Sequence, residues 1–500
     1  MNVASLLQSA ARSFPDHPAL SWRGATLSYR QFDQRTAAFA EWLRGNGAAP
    51  EQRVVLYLDN RPELLIAMFG TFRAGSAVVP CNSRLTADEL AFLVNDCSAR
   101  VVVTDPAHAA VAQAAAGPDT IVLVAGENLD EVLQGPTGSL EPADVHPDTT
   151  AWIFYTSGTT GFPKGAMLSH AVLSYVTVSW LADLTPLDET DVTLHAAPLS
   201  HGAGFHAIAA TARAAHQIIP DPVSFDPAGI LQLIRDEGVT NTWMVPTQIV
   251  MLTEAAPADL HLPTLQYVVY GGAPITPAAT TRALHTFGHV FVQLYGQGET
   301  PMTATVLRRQ DHTPELLGSA GRARPGIDLR IVDPDGVPVE SGEAGEIVVR
   351  GPSVMSGYWN RPEATAETII DGWLHTGDLA RMTEDGVVFL LDRAKDMIIS
   401  GGSNIYAVEV EQVLNTHEHV REVAVIGIPD DLWGESVVAV VVPHDAATCD
   451  TGAIAAHSRL SLAGYKVPRR YIVTDSLPRN AYGKVLKREL RRMVAEGELA

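Results

Sequence analysis

Five hundred residues are more than one hydrophobic core usually organises, so at least two domains are expected. With 46% hydrophobic and 18% charged residues the chain is globular rather than disordered. A net charge of −22 excludes general nucleic-acid binding, which rests on Lys and Arg neutralising phosphates, yet leaves room for a local patch that holds a small anion.

The opening MNVASLLQSAARSFPDH has no basic start followed by an apolar run, so no signal peptide is expected. From residue 53 the pattern alternates. VVLYL is strand-like, RPELLIAMFGTFRAG helical, SAVVP strand-like and TADELAFLVNDC helical, and RVVVTD closes the unit. Strand and helix alternating at these lengths predict a parallel sheet covered by helices. The theme returns with LQLIRDEGV, TNTWMVP and LQYVVYGG, the last a strand ending in paired glycines. Around 318–392, IDLRIVDPDGVPVESGEAGEIVVRG reads as short strands split by turns, hence a mostly antiparallel lobe. A last unit of about 100 residues follows VVFLLDRAKDMIIS, near the usual lower size of a domain. Its tail is basic, from Arg459 to Arg492. KRELRRM reads there as a solvated helix face, while other cations could face a polyanionic small molecule.

The longest apolar runs are strand-length and do not span a bilayer. Cys81, Cys97 and Cys449 are far apart in sequence, lack metal-ligand spacing and fit a reducing compartment. The ending GELA is not a peroxisomal address, so a cytoplasmic protein is expected.

Residues 155–165, YTSGTTGFPKG, combine glycines that let backbone N–H groups approach phosphate oxygens with hydroxyls and one lysine. The stretch is not a Walker loop, because Pro163 stands where the second Gly belongs and Gly165 where the Ser or Thr belongs. Alone, TSGTTG reads more readily as a polar turn. The longer string YTSGTTGFPKGAMLSH, however, resembles the signature loop of the adenylate-forming family of acyl- and aryl-CoA synthetases, luciferases and peptide-synthetase adenylation domains. Further matches follow in the family's order: PLSHGAGF from Pro198, YGGAP from Tyr270, YGQGE from Tyr295, HTGDLA from His375, DRAKDMIISGGSNIYAVEVE from Asp392 and LPRNAYGKVLK from Leu477.

The resemblance implies an α/β fold: a large N-terminal domain of two parallel-sheet lobes plus an antiparallel β lobe, and a small mobile α+β C-terminal domain. The implied boundaries are 1–392 for the ATP- and acyl-binding domain, 393–396 for a hinge and 397–500 for the lid. It also implies an AMP-forming acid–thiol ligase. A carboxylate would attack the α-phosphate of ATP to give an acyl-adenylate, and a thiol, usually that of coenzyme A, would then displace AMP. Carboxylate and triphosphate repel one another, so charge control is the main task.

By the same resemblance Thr156, Ser157, Gly158, Thr159, Thr160 and Lys164 would cover the β- and γ-phosphates. Glu299 would help hold Mg²⁺, a hard cation that needs oxygen ligands. Tyr295 and Gly296 would flank the adenine, with Gly272, Ala273 and Pro274 giving it close backbone approach. Asp378 would accept both ribose hydroxyls, and Arg393 would add a ribose or phosphate contact. His201 would sit at the mouth of the acyl pocket. Lys484 would bridge the attacking carboxylate and the α-phosphate. Lys395 would be the hinge residue, and Gly401 and Gly402 would admit the pantetheine arm. Outside such a pattern, Tyr295 would be a core residue, the TGD stretch a turn or cap, and Glu299 and Lys484 solvated charges.

The family's usual Thr before the Glu is here Gly298, which predicts weakened adenylation unless Thr300 or a water substitutes. GAGFHAIAA after His201 is small and apolar apart from Phe205 and His206, and Leu294 precedes Tyr295 where many relatives have Gly. No Lys or Arg in these stretches could pair a second carboxylate. The expected substrate is therefore an apolar monocarboxylic acid, fatty or aryl, with Leu294 shortening the channel. Loading of a separate carrier protein, a luciferase-like oxygenase and a non-catalytic acyl or nucleotide binder are the rival readings. The last conflicts with retention of Lys484, Glu299, Asp378 and Arg393 together. A homodimer is compatible with the resemblance.

Overall fold

The computed structural model describes residues 1–156, 163–221, 225–273, 275–393, 396–400, 403–430, 434–479 and 485–499; the side chains of 392, 393, 403, 404 and 434 are outside this description. Two compact units emerge: Met1–Leu329 with Val349–Leu374, and Arg330–Val348 with His375–Ala500. Residues 393–396, the expected hinge, fall inside the second unit.

The first unit holds two mixed sheets. One has six strands in the order Ile121–Val124, Val101–Thr104, Arg53–Tyr57, Ala77–Pro80, Thr150–Thr156, Lys164–Ser169. The first five run parallel, and only Lys164–Ser169 is antiparallel to its neighbour. The segments read as alternating strand and helix form this sheet, with Pro62–Arg73 and Ala87–Asp96 as crossovers. Local chemistry sets the helix starts. Pro62 occupies the first turn, where no N–H is needed, and Thr86 caps Glu89 while the Glu89 carboxylate accepts from the Thr86 N–H at 2.8 Å.

The other sheet has nine strands. Phe291–Tyr295, Tyr267–Tyr270, Asn241–Met244, Val192–Leu194, His216–Ile218 and Pro18–Trp22 form its parallel body. Antiparallel strands flank it: Thr305–Leu307 and Arg322–Ala323 at one edge, Ala25–Ser28 at the other. The two N-terminal strands precede the alternating pattern and carry no such signal. A core of aliphatic and aromatic side chains joins the two sheets through Trp152, Phe205, Trp180 and Trp243.

An antiparallel sheet follows, with Ile369–Ile370 and Val388–Arg393 both paired to Trp373–Met382. The last sheet orders Ser403–Ile405, Ile398–Ser400, Gly434–Pro443 and Val420–Asp430, with Arg470–Val473 parallel to Gly434–Pro443. Helices Ala407–Leu414 and Thr451–Ser461 bury Ile454 and Leu414 on one face of it, and Lys487–Ala495 buries Leu490 and Val494 on the other. The fold is thus α/β with two mixed sheets, an antiparallel sheet and a small C-terminal α+β region, as the sequence predicts. In the basic tail, Lys466 pairs with Glu409 at 2.6 Å, Lys487 with Glu411 at 2.9 Å and Arg491 with Asp396 at 3.1 Å. These cations are committed to carboxylates within their unit rather than left solvated.

Candidate active site

Strands Thr150–Thr156 and Lys164–Ser169 pair, with a register shift between Thr150 and Trp152 and an unbroken register from Trp152 to Thr156, which stands opposite Lys164. The glycine-rich stretch joins these two strands in sequence, and the strands, its stems, are held to each other by ladder hydrogen bonds. Ser157, Gly158, Thr159 and Thr160 lie outside the described residues. Gly165 has a packing reason: a Cβ there would stand 2.6 Å from Ile153.

The stems meet Glu299. Thr156 Oγ1 donates to Glu299 Oε1 at 2.9 Å, and Tyr358 Oη donates to the same oxygen at 2.8 Å. Glu299 is 8% exposed, and among the described residues no hydrogen bond reaches its Oε2. The Lys164 ammonium lies 5.2 Å from the centroid of the Tyr358 ring. Burial first, then the nearby carboxylate, pushes the Tyr358 phenol above its ordinary pKa, so it stays a donor. A buried carboxylate held by two neutral donors, with one oxygen open, is a donor set that fits a hard divalent cation.

Tyr358 escapes the sequence reading. In MSGYWN it has neither helical nor strand spacing, and only the pairing of Ser356–Trp359 along strand Lys164–Ser169 brings it to Glu299. Ser356 N–H donates to Met167 O at 2.9 Å, Met167 N–H to Gly357 O at 2.9 Å and Trp359 N–H to Gly165 O at 2.8 Å.

Tyr295 ends its strand half-buried, and Gly296 follows because a Cβ there would stand 2.7 Å from the backbone of Met302 and Thr303. Gly272 adopts φ +81° and, like Ala273, is exposed beyond strand Tyr267–Tyr270; Pro274 lies outside the described residues. At Gly298 a Cβ would stand 2.6 Å from both Phe154 Cδ1 and Thr156 Cγ2. The space a residue 298 side chain would need is thus taken by those two residues. Thr300 is no substitute: it is fully buried and its hydroxyl hydrogen-bonds Ser353 at 2.6 Å.

His201 precedes helix Gly202–Ala212. Its ring sits edge-on to Phe154 at 5.6 Å and its Nδ1 hydrogen-bonds Ser200 Oγ at 2.8 Å. It keeps an exposed edge, yet burial pushes its pKa down to about 4, so it is neutral at pH 7 and offers hydrogen bonding rather than charge. The adjoining space is crowded. A Cβ at Gly202 would lie 2.7 Å from the Trp243 ring and one at Gly271 would lie 2.5 Å from Leu294 O, while Leu294 itself is 1% exposed. His206 stacks on Trp180 at 5.1 Å and is fully buried.

In the second unit, Asp378 is buried and its N–H donates to Thr376 Oγ1 at 3.1 Å; Thr376 in turn donates to Ile347 O at 2.8 Å. Gly377, at φ +68°, turns its N–H to Glu346 at 2.8 Å. Asp378 stands directly opposite Arg393 across the ladder, so the two residues expected at the ribose share one register position. Lys395, Gly401, Gly402 and Lys484 lie outside the described residues. Among the described residues Asp59, Asp105 and His108 also converge within 4.8 Å, but His108 and Asp105 pair with each other at 2.7 Å. Cys81 and Cys97, though distant in sequence, share one apolar cluster, and burial pushes both thiols up, Cys97 to about 12. No helix among the described residues is long and apolar enough to cross a membrane.

Residues 7–359 match the model of the AMP-binding enzyme family and residues 409–484 that of the AMP-binding enzyme C-terminal domain. The chain is 40% identical over 491 residues to a feruloyl-CoA synthase of Amycolatopsis sp, covering 96% of this chain and 97% of the relative. It is 36% identical over 507 residues to an indoleacetate–CoA ligase of Aromatoleum aromaticum, covering 99% and 98%. Among solved structures, the o-succinylbenzoate CoA synthetase of Bacillus subtilis in complex with its acyl-adenylate intermediate superposes with a TM-score of 0.88 at 30% identity, over 97% of each chain. The chain belongs to the acyl-CoA ligase family of the adenylate-forming superfamily and is an AMP-forming ligase.

Proposed function

We propose that the protein activates an apolar aryl monocarboxylic acid with ATP and transfers the acyl group to coenzyme A. In the first step a carboxylate oxygen bonds to the α-phosphorus and pyrophosphate leaves. In the second the thiol sulfur bonds to the acyl carbon, AMP leaves and the thiol proton passes to solvent. The observation that carries the choice of acid is the packing beside His201. Leu294 and Trp243 fill the wall that Gly202 and Gly271 would otherwise leave open, which favours a flat, short acid over an extended chain. Relatives that act on feruloyl and indoleacetate groups support the same reading.

The roles proposed for the site residues follow from chemistry. Ser157, Gly158, Thr159, Thr160 and Lys164 would supply donors and one positive charge to the outer phosphates. Glu299 would hold Mg²⁺, which when bound neutralises phosphate charge. Asp378 and Arg393, opposite one another on their ladder, would fix the ribose. Tyr295 would pack on the adenine beside Gly272–Pro274. His201, neutral, would orient the substrate carboxylate. Lys484 would offset the repulsion between carboxylate and α-phosphate, on a lid spanning 397–500 that turns at 393–396 about Lys395 and then admits the thiol past Gly401 and Gly402. Two incompatible transition states give the reason for such alternation.

The test is incubation with ATP, Mg²⁺ and a panel of aryl and fatty acids, with and without coenzyme A, read by mass spectrometry. Aryl-CoA products are expected. Preference for long-chain acids would overturn the choice of acid, and an adenylate that never reaches coenzyme A would point to a carrier-protein acceptor. K484A is expected to block adenylate formation while still converting supplied adenylate to thioester.

A further inference from the structure

Glu299 is tied down more thoroughly than a metal ligand requires. Its carbonyl accepts from Met355 N–H at 2.8 Å, so backbone and side chain are both held by the 355–358 segment. That segment is itself fixed at several points. Tyr358 N–H donates to Thr365 Oγ1 at 2.9 Å, Trp359 Nε1 donates to Asp96 O at 3.1 Å, and Arg361 pairs with Asp96 at 2.6 Å. Asp96 also accepts from Tyr155 Oη at 2.7 Å, which anchors the strand that carries Thr156. Thr156 and Tyr358 therefore approach one carboxylate oxygen from two elements that are braced against each other.

Two O–H donors occupy both lone pairs of Oε1 and fix the carboxylate plane; the charge left on Oε2 is then aimed in one direction. We propose that Thr156 and Tyr358 form a positioning clamp on Oε1 of Glu299 that presents Oε2 to the divalent cation accompanying ATP. The hydroxyl of Thr156 then serves the carboxylate rather than the phosphates, a different task from the one its motif suggests. Lys164, seated over the Tyr358 ring, ties strand Lys164–Ser169 to the same clamp. The inference rests on the proposed reading of Glu299 as the cation ligand.

The test is calorimetric titration of a non-hydrolysable ATP analogue into the full-length protein at a series of Mg²⁺ concentrations. It compares wild type with Y358F, T156V, T156S and E299Q. Loss of an outer partner of a metal ligand typically weakens metal affinity about 10- to 100-fold. Y358F and T156V are each expected to need about tenfold more Mg²⁺ for half-maximal analogue binding. T156S is expected to keep the wild-type requirement, and E299Q to lose the dependence. If E299Q loses it while Y358F and T156V titrate like wild type, the clamp is wrong and the reading of Glu299 stands. If E299Q also titrates like wild type, that reading falls and the clamp with it. Should Y358F not fold, T156V against T156S decides: identical requirements overturn the clamp.

Discussion

Two carboxylates of the first unit, Glu299 buried and Asp183 partly so, are stabilised in opposite ways. Asp183, at the end of helix His170–Asp183, meets the fully buried Arg324, whose Nε lies 3.2 Å from both carboxylate oxygens and whose Nη2 lies 2.6 Å from Oδ1. Charge is cancelled on the spot, within one ion pair. Glu299 has only neutral hydroxyl partners, both on one oxygen, and no cation within salt-bridge distance among the described residues. A carboxylate left incomplete in this way is costly to bury unless a cation arrives, whereas the closed pair serves the fold alone.

The largest effect expected on either side comes from breaking the closed pair. R324M leaves Asp183 largely buried without its cation and should destabilise the fold by about 3–5 kcal/mol. Urea unfolding measures this, and activity per folded molecule should stay near wild type. E299Q should do the reverse. The amide oxygen still accepts from Thr156 and Tyr358, so the melting temperature should hardly move, while ATP–pyrophosphate exchange should fall on the order of 100-fold. Equal stability losses in the two variants would erase the distinction.

A smaller effect is expected at Gly298. The sequence comparison suggests that restoring a threonine would strengthen adenylation. The structure reverses the sign, because a Cβ at that position would press on Phe154 and on Thr156 at 2.6 Å. G298T should cost about 1–3 kcal/mol of stability by overpacking and lower adenylation by displacing Thr156 from Glu299. A faster adenylation rate in G298T would show that the crowding relaxes and that the motif argument was right.

How much of this was legible from the residues alone follows from the reach of each signal. VVLYL, SAVVP and RVVVTD announce their strands because β-branched runs bounded by turns are local information, and TADELAFLVNDC announces helix Ala87–Asp96 by its spacing. The ordered motifs single out Glu299, Asp378 and Thr156 as candidates, but not their partners. That Thr156 donates to Glu299, 143 positions away, is a consequence of two sheets meeting, and no periodicity encodes it. Tyr358 sits in an irregular segment whose only order is the ladder it makes with strand Lys164–Ser169. Thr300 looks available in YGQGETPM and proves to be spent on Ser353, because hydroxyl direction depends on packing. The two strands before residue 30 are short and alternate weakly, Ala25–Ser28 at the edge and Pro18–Trp22 next to it, and the sheet rather than their own sequence defines them.

The smallest effect sharpens the comparison by adding a third way of burying polarity, which is to give up charge. His170, His195 and His201 have pKa values pushed down to about 4 and His206 to about 3, in each case chiefly by burial. Around His206 lie Trp180, the neutral His195 and Asn241, and among the described residues no carboxylate pairs with it to hold a proton. The sign follows from linkage. Each folded-state pKa lies below the unfolded histidine value of about 6.5, so between about pH 6.5 and 4 the unfolded chain binds protons that the native state refuses. Stability is therefore fully present above about pH 6.5 and is lost as pH falls, at up to about 1.4 kcal/mol per pH unit for each such histidine. Urea unfolding at pH 7, 6 and 5 measures the slope, and H206Q should make it shallower by about one proton's worth whatever it does to stability at pH 7. An unchanged slope in H206Q would mean that His206 binds its proton in the native state as readily as in the unfolded chain, and that this part of the core tolerates charge as the Asp183–Arg324 pair does.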